Sequence, residues 1–284
     1  MTFSVEGRTA IVTGASSGLG AHFASVLAEA GARVVLAARR EEQLNLVAKE
    51  IEATGGTALA VRCDIADSAD VSDMVTAAFD TFGSVDILVN NAGVAAEAGF
   101  MPERVPDDLF AQTIAVNLNG TFRCCREVAA RLLEAGSKGS IINVASVAGL
   151  GGVQNFPPAY QASKGAVINL TRNLAASWAD RGVRVNALCP GWFPSEMTAA
   201  WFAAPQFLQR FEDQAPARRV GDLSELDGPL LFLASDASSF VTGQTLAVDG
   251  GISAAIGNAP FTEELYELLA AVFGEGGTRI LPTD

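Results

Sequence analysis

Thr9-Ala10-Ile11-Val12-Thr13-Gly14-Ala15-Ser16-Ser17-Gly18-Leu19-Gly20 passes from a short β-rich apolar run into a glycine-rich turn, and the residues from Ala21 to Ala30 then follow a helical pattern. Glycines at a strand-to-helix turn let the backbone approach a pyrophosphate, which the amides and positive end of the helix can hold. The alternation continues along the chain. Arg33–Ala37 precedes a helix expected from Glu41, and further strands are expected at Ala58–Val61, Val85–Val89, Ser140–Val144, Val183–Ala187 and Thr245–Val248. Nearly continuous apolar strands separated by helices describe a parallel sheet covered on both faces, the doubly wound α/β architecture. Ligands of such sheets bind beyond the carboxyl ends of the strands, so the residues that follow each strand are the functional candidates.

Composition bounds the possibilities. A chain of 284 residues, 49% apolar and without charge blocks, suits one large domain over residues 1–251, with residues 252–284 as an extension. Its first eight residues show neither a basic segment followed by an apolar one nor a cleavage site, and no run approaches the ~18 apolar residues of a membrane span. A soluble cytoplasmic protein is the expectation. Cys63, Cys124, Cys125 and Cys189 lack Cys-x-x-Cys spacing and His22 is the only histidine, so no metal site is expected and the thiols read as reduced. A net charge of −13 argues against nucleic acid as a partner.

Tyr160 and Lys164 stand four residues apart, which puts a phenol and an ammonium on one helix face about 5–6 Å apart. At an effective dielectric of about 20 such a cation favours the phenolate by roughly 3 kcal/mol, or about two pKa units. This pair reads as a proton-transfer group. Other short segments fall at strand ends: Asn90-Asn91-Ala92-Gly93 after the fourth strand, Ser146 after the fifth and Pro190-Gly191 after the sixth, with Asn117 in Val116-Asn117-Leu118-Asn119-Gly120. With Thr13-Gly14-x-x-x-Gly18-x-Gly20, these segments resemble the short-chain dehydrogenase/reductase family over positions ~8 to ~251.

The resemblance implies a catalytic set of Asn117, Ser146, Tyr160 and Lys164 acting with a nicotinamide cofactor. It gives Ser146 the substrate oxygen, Tyr160 the proton and Lys164 both the lowering of the phenol pKa and the ribose hydroxyls. Asn117 could bond its own backbone, or it could steady a local distortion and a water leading to Lys164. The cofactor contacts it implies are Thr13, Gly14, Ser16, Ser17, Gly18, Leu19 and Gly20 at the turn, and Asp64 with Ile65 near adenine. Asn91, Ala92 and Gly93 fall on the adenosine side, with Pro190, Gly191, Trp192 and Ser195 near nicotinamide. Ala38 cannot supply the carboxylate that accepts a ribose 2′-OH, whereas Arg39, with Arg40 beside it, can face a 2′-phosphate, so NADP is expected in preference to NAD. Ser17 stands where many NADP-using relatives carry a basic residue, which argues against strict selectivity.

Trp192, Phe193, Met197, Trp201, Phe202, Phe207, Leu208 and Phe211 form a dense apolar group after Pro190-Gly191, read either as a core helix or as a lobe over the substrate. Val147, Val153 and Phe156 could form the opposite wall. The expected substrate is a bulky apolar ketone or secondary alcohol, although Arg210, Arg218 and Arg219 keep an anionic one open. Rival readings are reduction of a 3-oxoacyl chain on an acyl carrier protein, with Lys138 and Arg181 as its contacts, and a nonenzymatic NADP(H)-binding redox sensor. The resemblance also implies a homodimer or homotetramer built on long helices near Asp107–Ala135 and Ala159–Arg181. A capped helix is expected from Thr262, with Leu265, Leu268, Leu269, Val272 and Phe273 as its apolar stripe.

Overall fold

The computed structural model describes residues 3–255. Strands β1 (Thr9–Thr13), β2 (Arg33–Ala38), β3 (Thr57–Arg62), β4 (Ile87–Asn90), β5 (Gly139–Val144), β6 (Val183–Pro190) and β7 (Thr245–Val248) form one sheet in the order β3-β2-β1-β4-β5-β6-β7. Every neighbouring pair is parallel. Between them run α1 (Gly18–Glu29), α2 (Glu41–Ala53), α3 (Ser68–Phe82), α4 (Asp107–Ile114), α5 (Thr121–Glu134) and α6 (Pro158–Trp178). Three further helices, α7 (Ala199–Phe202), α8 (Pro205–Gln214) and α9 (Asp227–Ala234), lie between β6 and β7. This is the doubly wound α/β fold expected from the alternating pattern.

Both faces of the inner strands are buried, which explains why these strands read as continuous apolar runs, whereas the edge strands β3 and β7 are only partly covered. Side chains alternate across the sheet, so Ala10 and Val12 of β1 pack with Phe23, Leu27, Leu44 and Leu230 on one face. Ile11 between them joins Met74, Val75, Cys124, Cys125 and Leu132 on the other. Burying each large aliphatic side chain contributes about 1.5–3 kcal/mol. All four cysteines are buried free thiols.

The strand order reverses at β1, which pairs with β2 on one side and β4 on the other. That reversal opens a crevice beyond the carboxyl ends of these strands. The expected single helix over Asp107–Ala135 is interrupted: Ala115–Gly120 form a π-helical turn between α4 and α5. Two packing demands account for it. Gly120 lies against Ile65, where a Cβ would come within 2.7 Å of the isoleucine side chain, and Asn117 is held from across the sheet end. The chain divides into Met1–Ser253 and a short unit, Ala254–Asp284; the expected Thr262–Phe273 helix lies outside the described residues. No described helix is long and apolar enough to cross a membrane.

A Cβ on Gly20 would overlap the Gly14 carbonyl oxygen and come within 2.5 Å of Asn91 Nδ2, with backbone on one side that cannot swing away. Gly20→Ala is expected to lower the stability of the protein by about 1–3 kcal/mol. Thermal denaturation without added ligand measures this, and an unchanged melting temperature would contradict the packing described.

Candidate active site

The turns after β1 and β4 are stitched together by side chains. Thr13 Oγ1 accepts from the backbone N–H of Asn91 and of Ala92, both at 3.1 Å, and Asn91 Nδ2 donates to the Thr13 carbonyl at 3.0 Å. Gly14 at φ +67° and Gly18 at φ +54° adopt left-handed backbone that favours glycine. N-cap Ser17 of α1 makes no bond to the first-turn amides, so these donors stay available to an anion. The cleft above the two turns has a volume of about 460 Å3.

Most sequence-predicted contacts lie on the wall of that cleft. Gly14, Ser16, Ser17, Gly18, Leu19, Arg39, Arg40, Asp64, Ile65, Asn91, Ala92 and Gly93 line it, as do Tyr160, Lys164, Pro190, Gly191, Trp192 and Ser195. Thr13 and Gly20 are behind the wall. Thr13 is buried and occupied with the β4 turn, and Gly20 lets α1 seat on Gly14. A dinucleotide fits this wall: unbonded helix amides, two glycines held open, and two guanidinium groups at the rim. Asp64 spends its carboxylate on the Ala66 N–H at 3.0 Å, and burial pushes the nearby Cys63 thiol up to about 12.

Ser146 follows β5, and its Oγ accepts from the Ala148 N–H at 3.1 Å. The turn it begins lies directly on α6: a Cβ on Gly149 would come within 2.6 Å of the Lys164 backbone. Contact between the two backbones fixes Ser146 relative to Tyr160 and Lys164. Lys164 is 4% exposed, and its Nζ donates to the Val144 carbonyl at 2.7 Å and stands 5.6 Å from the centre of the Tyr160 ring.

Asn117 does not bond its own backbone through its side chain. Its Oδ1 accepts from Val94 N–H at 2.8 Å, and its Nδ2 donates to the Val94 carbonyl at 2.9 Å and to Ser163 Oγ at 3.0 Å. The π turn, the loop after β4 and α6 therefore meet at one amide. Gly93 sits at this meeting, where a Cβ would be 3.4 Å from Asn117 Oδ1 and 3.5 Å from Lys164 Nζ.

The electrostatics differ from the expectation of a lowered phenol. Burial pushes the Tyr160 phenol up, and the neighbouring Ser146 hydroxyl opposes this only in part. Burial also pushes the Lys164 ammonium down to about 8. Desolvation penalises the charged form of both groups, and it outweighs the attraction between them that the helical spacing suggested.

Glu97 was not legible from the sequence. It is fully buried in the loop after β4, and its carboxylate accepts from Tyr160 N–H at 2.8 Å and from Thr113 Oγ1 at 2.5 Å. N-cap Pro157 makes no side-chain cap to α6, so Glu97 satisfies a first-turn amide from a distant loop. A lone acid among Ala95, Ala96 and Ala98 was the available signal. Glu196 was missed as well. It forms a bidentate pair with Arg40, Nη1 to Oε1 and Nη2 to Oε2 both at 2.8 Å.

Beyond Tyr160 the cleft becomes aromatic. Phe156 stands 5.9 Å from Tyr160, 5.7 Å from Trp192 and 5.5 Å from Trp201 between ring centres. These residues and Met197 form the wall. Phe202 lies behind it against Phe211, at 5.6 Å. Val147 and Val153 are also off the wall: Val147 is buried in the turn after Ser146, and Val153 is tied by its backbone to Gln161. Arg210, Arg218 and Arg219 do not line the cleft. No group of three or more potential metal ligands occurs among the described residues.

A family profile described as Enoyl-(Acyl carrier protein) reductase matches residues 14–253, and relatives with the same architecture cover most of the chain. The chain belongs to the short-chain dehydrogenase/reductase family. Among its members, galactitol 2-dehydrogenase (L-tagatose-forming) of Cereibacter sphaeroides is 41% identical, over 88% of this chain and 96% of that protein. Gluconate 5-dehydrogenase of Gluconobacter oxydans is 40% identical, over 89% of this chain and 98% of that protein. The crystal structure of a gluconate 5-dehydrogenase from Burkholderia cenocepacia, in complex with NADP and tartrate, superposes with a TM-score of 0.84 at 37% identity, covering 89% of this chain and 98% of that one.

The Lys164 pKa gives a test of the buried geometry in this short-chain dehydrogenase/reductase. A lysine whose folded pKa is depressed to about 8 costs stability while it is charged, and the cost fades as pH rises from there towards the unfolded value. Wild-type stability relative to a Lys164→Met variant should therefore rise between about pH 8 and about pH 10.4. Urea denaturation of both proteins across that window measures the difference; a gap independent of pH would show that the ammonium is solvated.

Proposed function

We propose that this protein is an NADP-dependent dehydrogenase/reductase interconverting a ketone and a secondary alcohol that carry a bulky apolar group. The aromatic wall of Phe156, Trp192 and Trp201 beside Tyr160 carries the substrate part of this reading. Few free polar groups stand near it: Gln161 is spent on the Val153 and Phe156 backbone, and Trp192 Nε1 on Gln214. A polyol or sugar acid, the substrate class in the names of the relatives, would need donors that this wall does not offer. The NADP preference is supported by Ala38 in place of a carboxylate, by Arg39 and Arg40 at the rim, and by the NADP named in the gluconate 5-dehydrogenase structure.

When bound, the nicotinamide supplies or takes up the hydride. The residues of the chain handle the proton and the geometry. Ser146 donates a hydrogen bond to the substrate oxygen, and Tyr160 gives its phenolic proton to that oxygen during reduction or removes one from the alcohol during oxidation. Burial favours the protonated form of the phenol. Lys164, held by the Val144 carbonyl, places a cationic group beside the ring and is available to ribose hydroxyls. Asn117 ties the loop bearing Gly93 to α6, and so keeps the cofactor wall and the acid/base in register.

The acyl-carrier reading is weaker on geometric grounds. Lys138 and Arg181 precede β5 and β6, at the amino ends of the strands, whereas the cleft lies beyond the carboxyl ends. A cofactor-binding sensor would have no use for a buried lysine beside a tyrosine and Ser146 at the same cleft. Exposed Phe110 and Phe122 on α4 and α5 support a homo-oligomer joined through these helices, and four buried unpaired thiols support a reducing compartment such as the cytoplasm.

Tyr160→Phe is expected to lower kcat by about 10²-fold or more while leaving NADPH affinity within about twofold. Retention of more than about a tenth of the rate would remove Tyr160 from the acid/base role. With wild-type protein, kcat/KM for oxidising cyclic or aryl secondary alcohols should exceed that for galactitol or gluconate by roughly tenfold or more, as burial of a few methylene equivalents dictates. The opposite ranking would overturn the apolar assignment.

A further inference from the structure

We infer that Glu196 is a specificity-determining residue that competes with the cofactor 2′-phosphate for Arg40. The inference rests on the NADP reading above and deepens it. Arg40 and Glu196 come from different segments of the cleft wall, one after β2 and the other after the Pro190-Gly191 turn, and are 156 residues apart in sequence. Every nitrogen of the Arg40 guanidinium is engaged. Besides the two bonds to the Glu196 carboxylate, Nη2 donates to Ser17 Oγ at 2.7 Å and to Ser16 Oγ at 3.1 Å, and Nε donates to Ser16 Oγ at 3.2 Å. Ser17 Oγ completes the ring by donating to Glu196 Oε2 at 2.6 Å.

The chemistry of this ring is that of an anion site filled from within the chain. A carboxylate presents two oxygens to the guanidinium fork as a phosphate does, so one ligand excludes the other. The two serines beside it add hydroxyl donors, which also suit phosphate. Its position fits as well. The pair bridges the glycine turn at the start of α1, and a Cβ on Gly18 would be only 3.6 Å from Ser195 Cβ and 3.7 Å from Glu196 N, so the segment carrying the carboxylate rests against that turn.

Arg39 lines the same cleft and forms no ion pair with a described residue. A 2′-phosphate therefore meets one guanidinium at once and must take the second from Glu196. NADP(H) bears the cost of breaking the pair, while NAD(H), with no group that calls for Arg40, leaves it intact. The Glu196 carboxyl sits well below the usual range, at about 2, held there first by the Arg40 hydrogen bonds, so it is a charged competitor at neutral pH. Partly exposed ion pairs are weak, so the effect is modest in size: both side chains are about half exposed, at 44% and 62%.

The test is a binding titration of the full-length protein with NADPH and with NADH, followed by calorimetry or nicotinamide fluorescence without substrate. Glu196→Gln should tighten NADPH by about 2–5-fold and leave NADH unchanged, and in an Arg40→Met background the same substitution should have no effect on either. Unchanged or weakened NADPH binding in Glu196→Gln overturns the competition, as does an equal shift for both cofactors or an effect that persists without Arg40. Wild-type protein binding NADH as tightly as NADPH would instead overturn the cofactor preference. A selective gain for NADPH in Glu196→Gln would then still establish competition at Arg40.

Discussion

The parallel pairing of β1 with β4 is the constraint on which the remainder of the molecule depends. It reverses the strand order and so opens the crevice, and it places the β1 and β4 turns side by side at one height. Thr13 converts that adjacency into a fixed distance by accepting two amides from the neighbouring turn. Once both turns are fixed, the loop bearing Gly93 has one path. Asn117 then grips that loop from the π turn, and Ser163 ties the same amide to α6. Tyr160, Lys164 and the glycine-turn wall are thereby referred to a single strand pair.

Along its length the cleft changes character by degrees. Part of its wall is built from small residues, serine hydroxyls, helix amides and arginines, and part from tryptophan, phenylalanine and methionine. Tyr160 stands at the junction, with its body against Phe156 and its hydroxyl beside Ser146. The gluconate 5-dehydrogenase structure that resembles this chain shares its fold.

What could be read from the sequence follows the range of the forces involved. The parallel, doubly wound sheet emerged from local signals, because a strand buried on both faces must be apolar throughout and a tight approach to the first turn demands glycine. The helical spacing of Tyr160 and Lys164 correctly put them on one face, yet it gave the wrong sign for the phenol. Pair attraction is set by spacing alone, whereas desolvation is set by everything packed around the pair. The π turn at Ala115–Gly120 was legible only as a local distortion that Asn117 could steady, since Ile65 packs on Gly120 from a distant loop. Glu97 has only its place among alanines as a signal and Glu196 has none, because one caps a helix more than 60 residues away and the other grips an arginine 156 residues away. Thr13, Gly20, Val147, Val153 and Phe202 sit next to site residues in sequence but turn behind the wall, which residue adjacency cannot foresee.

The same strand order has a bearing on how the chain acquires its shape. β1 is made early, but one of its two neighbours, β4, begins only at Ile87, and β5 to β7 follow far later. Docking strands so distant in sequence is entropically slow. Until β4 docks, the glycine turn has no Asn91 to brace it, and no partly folded chain can present the complete cleft. A dinucleotide consequently recognises only the finished sheet, and its binding draws the population towards that state by mass action. In a cell the pool of cofactor would thus help to set how much of this protein survives, as well as how fast it works.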